Sequence, residues 1–123
     1  MGRNRSFDEA EVVGQAAAAF LRSGYEGTSV EELVTATGLH RGSLYQAFGS
    51  KRGLFLACLR GALGARPREE TTTDLVLVSL LELAPRDREV RDLLRHHLDE
   101  HTNSPHDLGA RLLARARIQL QED

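Results

Sequence analysis

The chain has 123 residues, of which 41% are hydrophobic and 28% charged, and its formal net charge is −2. This size gives one compact core with at most a small second layer, which excludes a multidomain enzyme, and the hydrophobic content excludes wholesale disorder. Cys58 is the one cysteine and excludes an internal disulfide, and neither a signal peptide nor a membrane span is evident, so we expect a cytoplasmic protein.

The first two helices are predicted from capping signals. Ser6 and Glu9 have the spacing of a capping box, and apolar residues at helical spacing then continue as far as Ser23. A second, short helix is opened by overlapping capping boxes and ends before Gly38. These boxes pair Thr28 and Ser29 with Glu31 and Glu32.

Two further helices complete the first half of the chain. His40 to Phe48 is predicted to form a short helix, and Ser50 can cap a fourth one. The apolar stripe of this fourth helix comprises Leu54, Phe55, Cys58, Leu59, Ala62 and Leu63. The composition turns polar after Arg66, so we place a boundary there, between a domain of residues 1–66 and a domain of residues 67–123.

The second half predicts three more helices. Leu75–Ala84 is apolar nearly all round and suits a buried helix, and Val90–His101 has a clean apolar stripe. Ser104 caps a last helix with Pro105 at its first position. The side of this last helix expected to face inward comprises Leu108, Leu112, Leu113, Ala116 and Leu120. Seven helices without a sheet predict an all-α fold.

Charge and aromatic residues are distributed unevenly. Residues 1–66 carry eight basic and six acidic side chains, whereas residues 67–123 carry eight basic and twelve acidic ones. All six aromatic residues lie within the first 55 positions, so the front half is expected to hold the bulkier core. The isoelectric point is about 6.2. Binding to nucleic acid must therefore depend on where the basic side chains are placed.

The two short helices and the tight turn at Gly38 form a helix-turn-helix pattern. The second of them is then the recognition helix, whose N-terminal residues meet base edges in the major groove; these are His40, Arg41, Gly42 and Ser43. The guanidinium of Arg41 can take both acceptors of a guanine edge, or it can bind a phosphate. Gln46 can pair with adenine or reach a phosphate.

Phosphate contacts are expected at the helix N-termini beside the recognition helix. Thr28, read as the cap of the second helix, and Lys51, at the start of the fourth, are placed for such contacts. Arg3 and Arg5 can add flexible contacts from the N-terminal arm. On pattern alone, an ordinary small helical bundle with a glycine turn remains the alternative.

Residues 20–59, FLRSGYEGTSVEELVTATGLHRGSLYQAFGSKRGLFLACL, resemble the DNA-binding domain of the TetR family of bacterial transcriptional repressors. The features that match are Phe20, Gly24-Tyr25, Thr28-Ser29-Val30, Gly38, Leu44-Tyr45, Phe48, Ser50-Lys51 and Leu54-Phe55. The resemblance implies phosphate contacts at Thr28, Tyr45 and Lys51, and it places Arg41, Gly42, Ser43 and Gln46 toward the groove. Ser29, beside Thr28, joins this DNA-binding set. Family members often carry His or Tyr where this chain has Ala47, so one backbone contact is expected to be absent.

The second half resembles the family's ligand-binding domain more loosely, over residues 74–101. This half is short for the family, so part of a ligand pocket is expected to be absent. Candidate pocket residues are Phe55, Cys58, Leu59, Leu80, Leu94 and His97. Each of them is also a plausible core residue.

No metal, cofactor or catalytic constellation is predicted. His97 and His101 are four residues apart, a spacing that can chelate a transition metal, but both are in line with leucines and we favour a structural role. Cys58 lies on an apolar stripe and is read as a small buried hydrophobe. There is neither a glycine-framed nucleophile nor a phosphate-binding glycine loop, so catalysis is not expected.

The sequence thus predicts an all-α, homodimeric, helix-turn-helix transcriptional regulator. In its expected mode of action, a dimer represses transcription from a palindromic DNA operator, and a small-molecule inducer releases it. The alternative is a truncated regulator that acts as a protein-interaction module and neither binds DNA specifically nor senses a ligand. The two hypotheses share one fold.

Overall fold

A computed structural model of the protein describes residues 7–101 and 104–121. These residues contain no strand and form seven helices: α1 (Glu9–Ser23), α2 (Val30–Thr37), α3 (Arg41–Phe48), α4 (Lys51–Ala65), α5 (Glu70–Glu82), α6 (Arg88–Glu100) and α7 (Pro105–Arg115). The all-α prediction is confirmed. The chain divides into two compact units, residues 1–60 and 61–123, and α4 runs through the division.

Helix α1 is capped by Asp8, whose carboxylate accepts hydrogen bonds from the backbone N–H groups of Ala10 and Glu11. The cap predicted at Ser6 lies outside the described residues. A carboxylate at this position satisfies otherwise unpaired N–H groups and interacts favourably with the helix dipole. The helix ends at Gly24, which has a φ of 80°.

Helix α2 has one of the two capping boxes that the sequence predicts. The hydroxyl of Ser29 accepts from the N–H of Glu32, while the Glu32 carboxylate accepts from the N–H of Ser29. The expectation that Thr28 caps this helix is wrong, because its side chain is turned inward. At the other end, Gly38 adopts the left-handed conformation, with φ 73° and ψ 5°, as the predicted tight turn requires.

The first unit closes around aromatic side chains from α1, α4 and the loop after α1. Phe20 and Phe55 are fully buried and meet edge to face, with 5.1 Å between ring centroids. Tyr25 stacks on Phe20 and meets Phe55 at 5.2 Å. Leu33 of α2 and Leu44 of α3 are also buried. The expectation that the bulky residues form the front core is confirmed.

The junction between α3 and α4 is tight. Ser50 accepts a hydrogen bond from the N–H of Gly53, as predicted for a cap of the fourth helix. A Cβ atom added at Gly53 would lie 1.9 Å from the carbonyl oxygen of Phe48, so only glycine fits there. This close approach fixes the direction in which the chain leaves the recognition helix.

In the second unit, α5 begins at Glu70, five residues before the apolar segment that predicted it. Thr72 and Asp74 are buried along with the apolar residues that follow, which confirms a helix buried over most of its surface. Helix α6 is capped by Asp87, and its buried residues are Val90, Leu94 and His97.

Helix α7 has the predicted cap at Ser104 and the predicted proline at its first position, and Asp107 completes a capping box with Ser104. The expectation that its leucine side faces inward is wrong: none of its residues is buried, and Leu112 and the following Leu120 are exposed. Polar contacts attach the helix instead, through arginines that bind the buried Asp74 of α5. Hydrophobic periodicity predicts this helix, but it does not predict that arginines on one face of the helix bind the buried carboxylate of Asp74.

Candidate nucleic-acid interface

Four of the eight residues of helix α3 are exposed: Arg41, Gly42, Tyr45 and Gln46. Leu44 is its one buried residue, which anchors the helix to the first unit. The residues that were predicted to face the groove are all exposed or half-buried: His40, Arg41, Gly42, Ser43 and Gln46. The exposed side of this helix, with Arg41 at its first position, has the arrangement of a recognition helix.

Arg41 is the first residue of α3, and its side chain is paired. One terminal nitrogen, Nη2, donates to Oε1 of Glu31 in α2. The Arg41 and Glu31 side chains are 54% and 73% exposed, so water reaches the pair from the outside. Local sequence patterns identify Glu31 only as a capping residue. They do not predict its pairing with Arg41, because the two residues are ten positions apart and meet only through the turn at Gly38.

Thr28 is positioned differently from the prediction. Its side chain is fully buried, with Oγ1 at 2.6 Å from the carbonyl oxygen of Gly24 and 3.3 Å from that of Ala19. This hydroxyl therefore ties the loop before α2 to the end of α1, and a phosphate contact by the Thr28 side chain is not supported. Ser29, which does cap α2, is exposed.

Lys51 begins α4 and crosses to the loop before α2. Its ammonium donates to the carbonyl oxygens of Tyr25, at 2.9 Å, and Thr28, at 3.1 Å. The Nζ atom also lies 4.5 Å from the centroid of the Tyr25 ring, within the range of a cation–π interaction. An ammonium has three N–H donors, and these two carbonyls occupy two of them. The lysine thus places a positive charge beside the start of α2 and holds the loop there.

Tyr45 lies one turn along α3 from Arg41 and is 40% exposed. Ala47, where family members often carry His or Tyr, is half-buried. The structure thus places the N-terminus of α2, the exposed face of α3 and the N-terminus of α4 in a single unit with Arg41 and Lys51.

The six candidate pocket residues fall in different units. Phe55, Cys58 and Leu59 belong to the core of the first unit. Desolvation raises the pKa of the Cys58 thiol to about 12, and its Sγ lies 3.4 Å from the carbonyl oxygen of Val13. In the second unit, Leu80 and Leu94 line an open cleft of about 400 Å³ between α5 and α6.

His97, the remaining pocket candidate, is 4% exposed. Its Nε2 atom has no hydrogen-bond partner among the described residues. Burial, followed by the charges of His101 and His96, lowers the pKa of His97, and the rings of His97 and His101 lie 4.8 Å apart. No group of three or more potential metal ligands occurs in the part of the chain that the structure describes.

Comparison with known proteins identifies the domain that carries this surface. Residues 13–58 match the family model of the bacterial regulatory proteins of the tetR family. The chain carries a TetR-family domain. The match spans α2, α3 and the turn between them, together with most of α1 and the first half of α4. The TetR resemblance predicted from the sequence is therefore confirmed.

Several curated proteins are similar to this chain. YezE of Bacillus subtilis (strain 168), an uncharacterized HTH-type transcriptional regulator, is 46% identical over 63 residues, which make up 51% of this chain and 32% of YezE. The HTH-type transcriptional repressor AcnR of Corynebacterium efficiens is 36% identical over 89 residues, 72% of this chain and 46% of AcnR. The HTH-type transcriptional repressor BdcR of Escherichia coli (strain K12) is 33% identical over 92 residues, 69% of this chain and 47% of BdcR.

The chain spans less than half the length of each of these relatives. No solved structure matches it at a significant level. Among the described residues, no helix is both long enough and apolar enough to cross a membrane.

Proposed function

We propose that this TetR-family chain is a sequence-specific DNA-binding transcriptional repressor. The observation that carries the proposal is the exposed side of α3, with Arg41 at its first position, on a domain that matches the tetR family. Helix α3 enters the major groove, and the dimer blocks transcription by occupying the operator.

Base readout is assigned to α3. Arg41 takes the two acceptors of a guanine edge, and Gln46, one turn further along, pairs with adenine. His40, Gly42 and Ser43 line the same approach. These contacts supply sequence preference, because the major groove presents a different donor and acceptor pattern for each base pair.

Phosphate contacts are assigned to Ser29, Tyr45 and Lys51. The first and last stand at helix N-termini, where backbone N–H groups and the helix dipole favour an anion. Thr28 is not a member of this set; its buried hydroxyl positions the loop that carries Ser29. These contacts set the register on DNA but read no sequence.

A homodimer on a palindromic operator follows from the geometry of helix-turn-helix binding, in which two recognition helices occupy successive major grooves about 34–36 Å apart. The exposed apolar side chains at the C-terminal end, Leu112, Ile118 and Leu120, support an interface there. An apolar surface of this kind is typical of a contact between subunits.

Release by a small-molecule inducer is the final part of the proposal. The cleft between α5 and α6 combines apolar walls with Arg91, Arg95 and Asp99. Such a lining favours a small molecule with an apolar body and a polar group. Binding there would have to differ in affinity between DNA-bound and free forms to act as a switch.

The test is selection of bound fragments from a genomic DNA library by the purified chain at physiological salt, followed by sequencing. Enrichment of one palindrome is the expected result and supports both specific binding and a working dimer. Recovery of sequence-blind, salt-sensitive DNA, or of none, would contradict the proposal and favour the alternative of a protein-interaction module.

A further inference from the structure

The pairing of Glu31 with Arg41 is unexpected on a surface that is proposed to bind DNA. A carboxylate near the phosphate backbone is repelled by it, so an acidic residue there opposes binding to DNA of any sequence. Glu31 nevertheless lies beside the arginine best placed to read a base, and its Oε1 accepts from Nη2 of Arg41.

The shape of the guanidinium allows Arg41 to keep this partner while it reads a base. Arginine has five N–H donors in one plane, and the bond to Glu31 uses one of the two on Nη2. The second donor on Nη2, together with one on a neighbouring nitrogen, remains for the two acceptors of a guanine edge. Different edges of the planar Arg41 guanidinium can thus bind the Glu31 carboxylate and the base at the same time.

Both side chains are long and more than half exposed, so neither is fixed by packing. An unpaired arginine on this surface would sample many rotamers and contact phosphates and bases alike. Fixing it in advance lowers the entropy lost on binding and restricts the direction from which it meets the groove.

We propose that Glu31 is a specificity-determining residue that positions the Arg41 guanidinium for base readout. The inference rests on the proposed function. Glu31 does not contact the base; it acts through Arg41, reducing affinity for DNA in general and raising the preference for the cognate site.

The test uses Glu31→Ala and Glu31→Gln in the full chain, with fluorescence anisotropy on the selected operator and on a scrambled duplex of the same length. Glu31→Ala is expected to lower the cognate-to-scrambled affinity ratio about fivefold or more, because a good bidentate contact supplies discrimination of at least this size. Glu31→Gln, which keeps an acceptor oxygen without the charge, is expected to lie between Glu31→Ala and the parent chain.

Two controls separate positioning from charge and from folding. Asp92→Ala removes one negative charge from another exposed ion pair, that of Asp92 with Arg88 in α6, and should leave the ratio unchanged. In an Arg41→Ala background, Glu31→Ala should have no further effect on the ratio, because the residue it positions is gone. Thermal unfolding of each variant reports any loss of α2.

A ratio for Glu31→Ala equal to that of Asp92→Ala overturns the inference while the proposed function stands. The same loss with and without Arg41 also overturns it, since Glu31 would then act by another route. If the parent chain itself shows no preference for any duplex, the proposed function fails and the inference fails with it. A loss of preference that depends on Arg41 supports both.

Discussion

At the scale of single residues, Arg41 and Lys51 illustrate how one positive charge differs from another. Arg41, at the first position of α3, is more than half exposed and pairs with the exposed Glu31. Lys51 donates two hydrogen bonds, to the backbone carbonyls of Tyr25 and Thr28, and so holds the loop before α2 in place. In the proposed complex with DNA, Arg41 reads a base, whereas Lys51 links the loop before α2 to a phosphate.

We expect Arg41→Ala to relax sequence preference and Lys51→Ala to weaken binding to all sequences alike. The lysine variant should also reduce the slope of log affinity against log salt by about one, because one phosphate contact is lost. Binding titrations on cognate and scrambled duplexes at several salt concentrations measure both effects. Equal losses on the two duplexes for Arg41→Ala would contradict the role in base readout.

His97 is the second residue with a testable consequence. Because its folded-state pKa is lowered, the unfolded chain takes up a proton more readily than the folded one. Protonation of His97 therefore favours the unfolded chain, so stability is greatest above the unfolded pKa of about 6.5 and falls as the pH drops from there toward the lower folded value.

His97→Leu is expected to raise the free energy of unfolding at pH 7 by about 1 kcal/mol, because a buried nitrogen with no described partner is replaced by an apolar group. It should also flatten the fall in stability below pH 6.5. Urea unfolding at a series of pH values provides the measurement, with the exposed His106, changed to Gln, as the control. A pH dependence identical to that of the parent would show that another group is responsible.

At the scale of helices, two exposed glycines separate stability from binding. A Cβ atom added at Gly42 in α3 or at Gly61 in α4 meets no atom within 4 Å, so neither glycine is required by packing within the protein. Both lie inside helices at ordinary φ, where glycine costs about 0.5–1 kcal/mol relative to alanine.

We therefore expect Gly42→Ala and Gly61→Ala each to stabilise the protein by up to about 1 kcal/mol. Gly42→Ala alone should weaken operator binding, because its methyl group would occupy the surface that approaches the DNA. Thermal unfolding and anisotropy on both variants check this. Unchanged binding in Gly42→Ala would mean that the DNA does not approach the protein closely at this turn of α3.

Helix α7 depends on a carboxylate in α5. The buried Asp74 accepts from Nε and Nη2 of Arg111, at 2.7 and 2.9 Å, and pairs with Arg115 at 3.1 Å. Burial alone would raise the pKa of Asp74, but the Arg111 hydrogen bond and the two guanidinium charges outweigh it, and the pKa is lowered. Arg111 also binds the exposed Glu70.

Asp74→Asn is expected to destabilise the protein by about 3 kcal/mol, because it removes the charge that two partly buried arginines share. Since the folded pKa is lowered, this contribution is complete above the unfolded pKa of about 3.9 and is lost as the pH falls further toward the folded value. Unfolding measured from pH 6 to pH 2 tests the window. The matched change Asp92→Asn, in an exposed pair, should have little effect.

At the scale of the whole molecule, the proposed dimer makes α7 a contact surface as well as a packed helix. Deleting the last helix, residues 105–123, would remove this contact surface, but it would also remove Arg111 and Arg115, which both bind Asp74. A point substitution therefore tests the dimer contact more sharply. Leu112→Glu is expected to yield monomers in light scattering and weaker operator binding, because a charge would replace an apolar side chain that is exposed in the single chain and covered in the proposed dimer. A dimer that survives this change would move the interface elsewhere.

The sequence by itself determined the helices and the family of the domain at residues 13–58, because the signals for both are local. The capping boxes at Ser29 and Ser104, the left-handed turn at Gly38 and the aromatic residues of the front core are all readable within a few turns of chain. The family match depends on the same short segment, residues 13–58.

Only the tertiary structure decided which side chains face inward and which polar groups meet. It buried the side chain of Thr28 in the first unit, left Leu112 of α7 exposed and paired Glu31 with Arg41. It also brought Arg111 to Asp74, 37 residues away. Such contacts depend on how helices pack, and periodicity specifies that a helix has two faces without specifying which neighbour each face will meet.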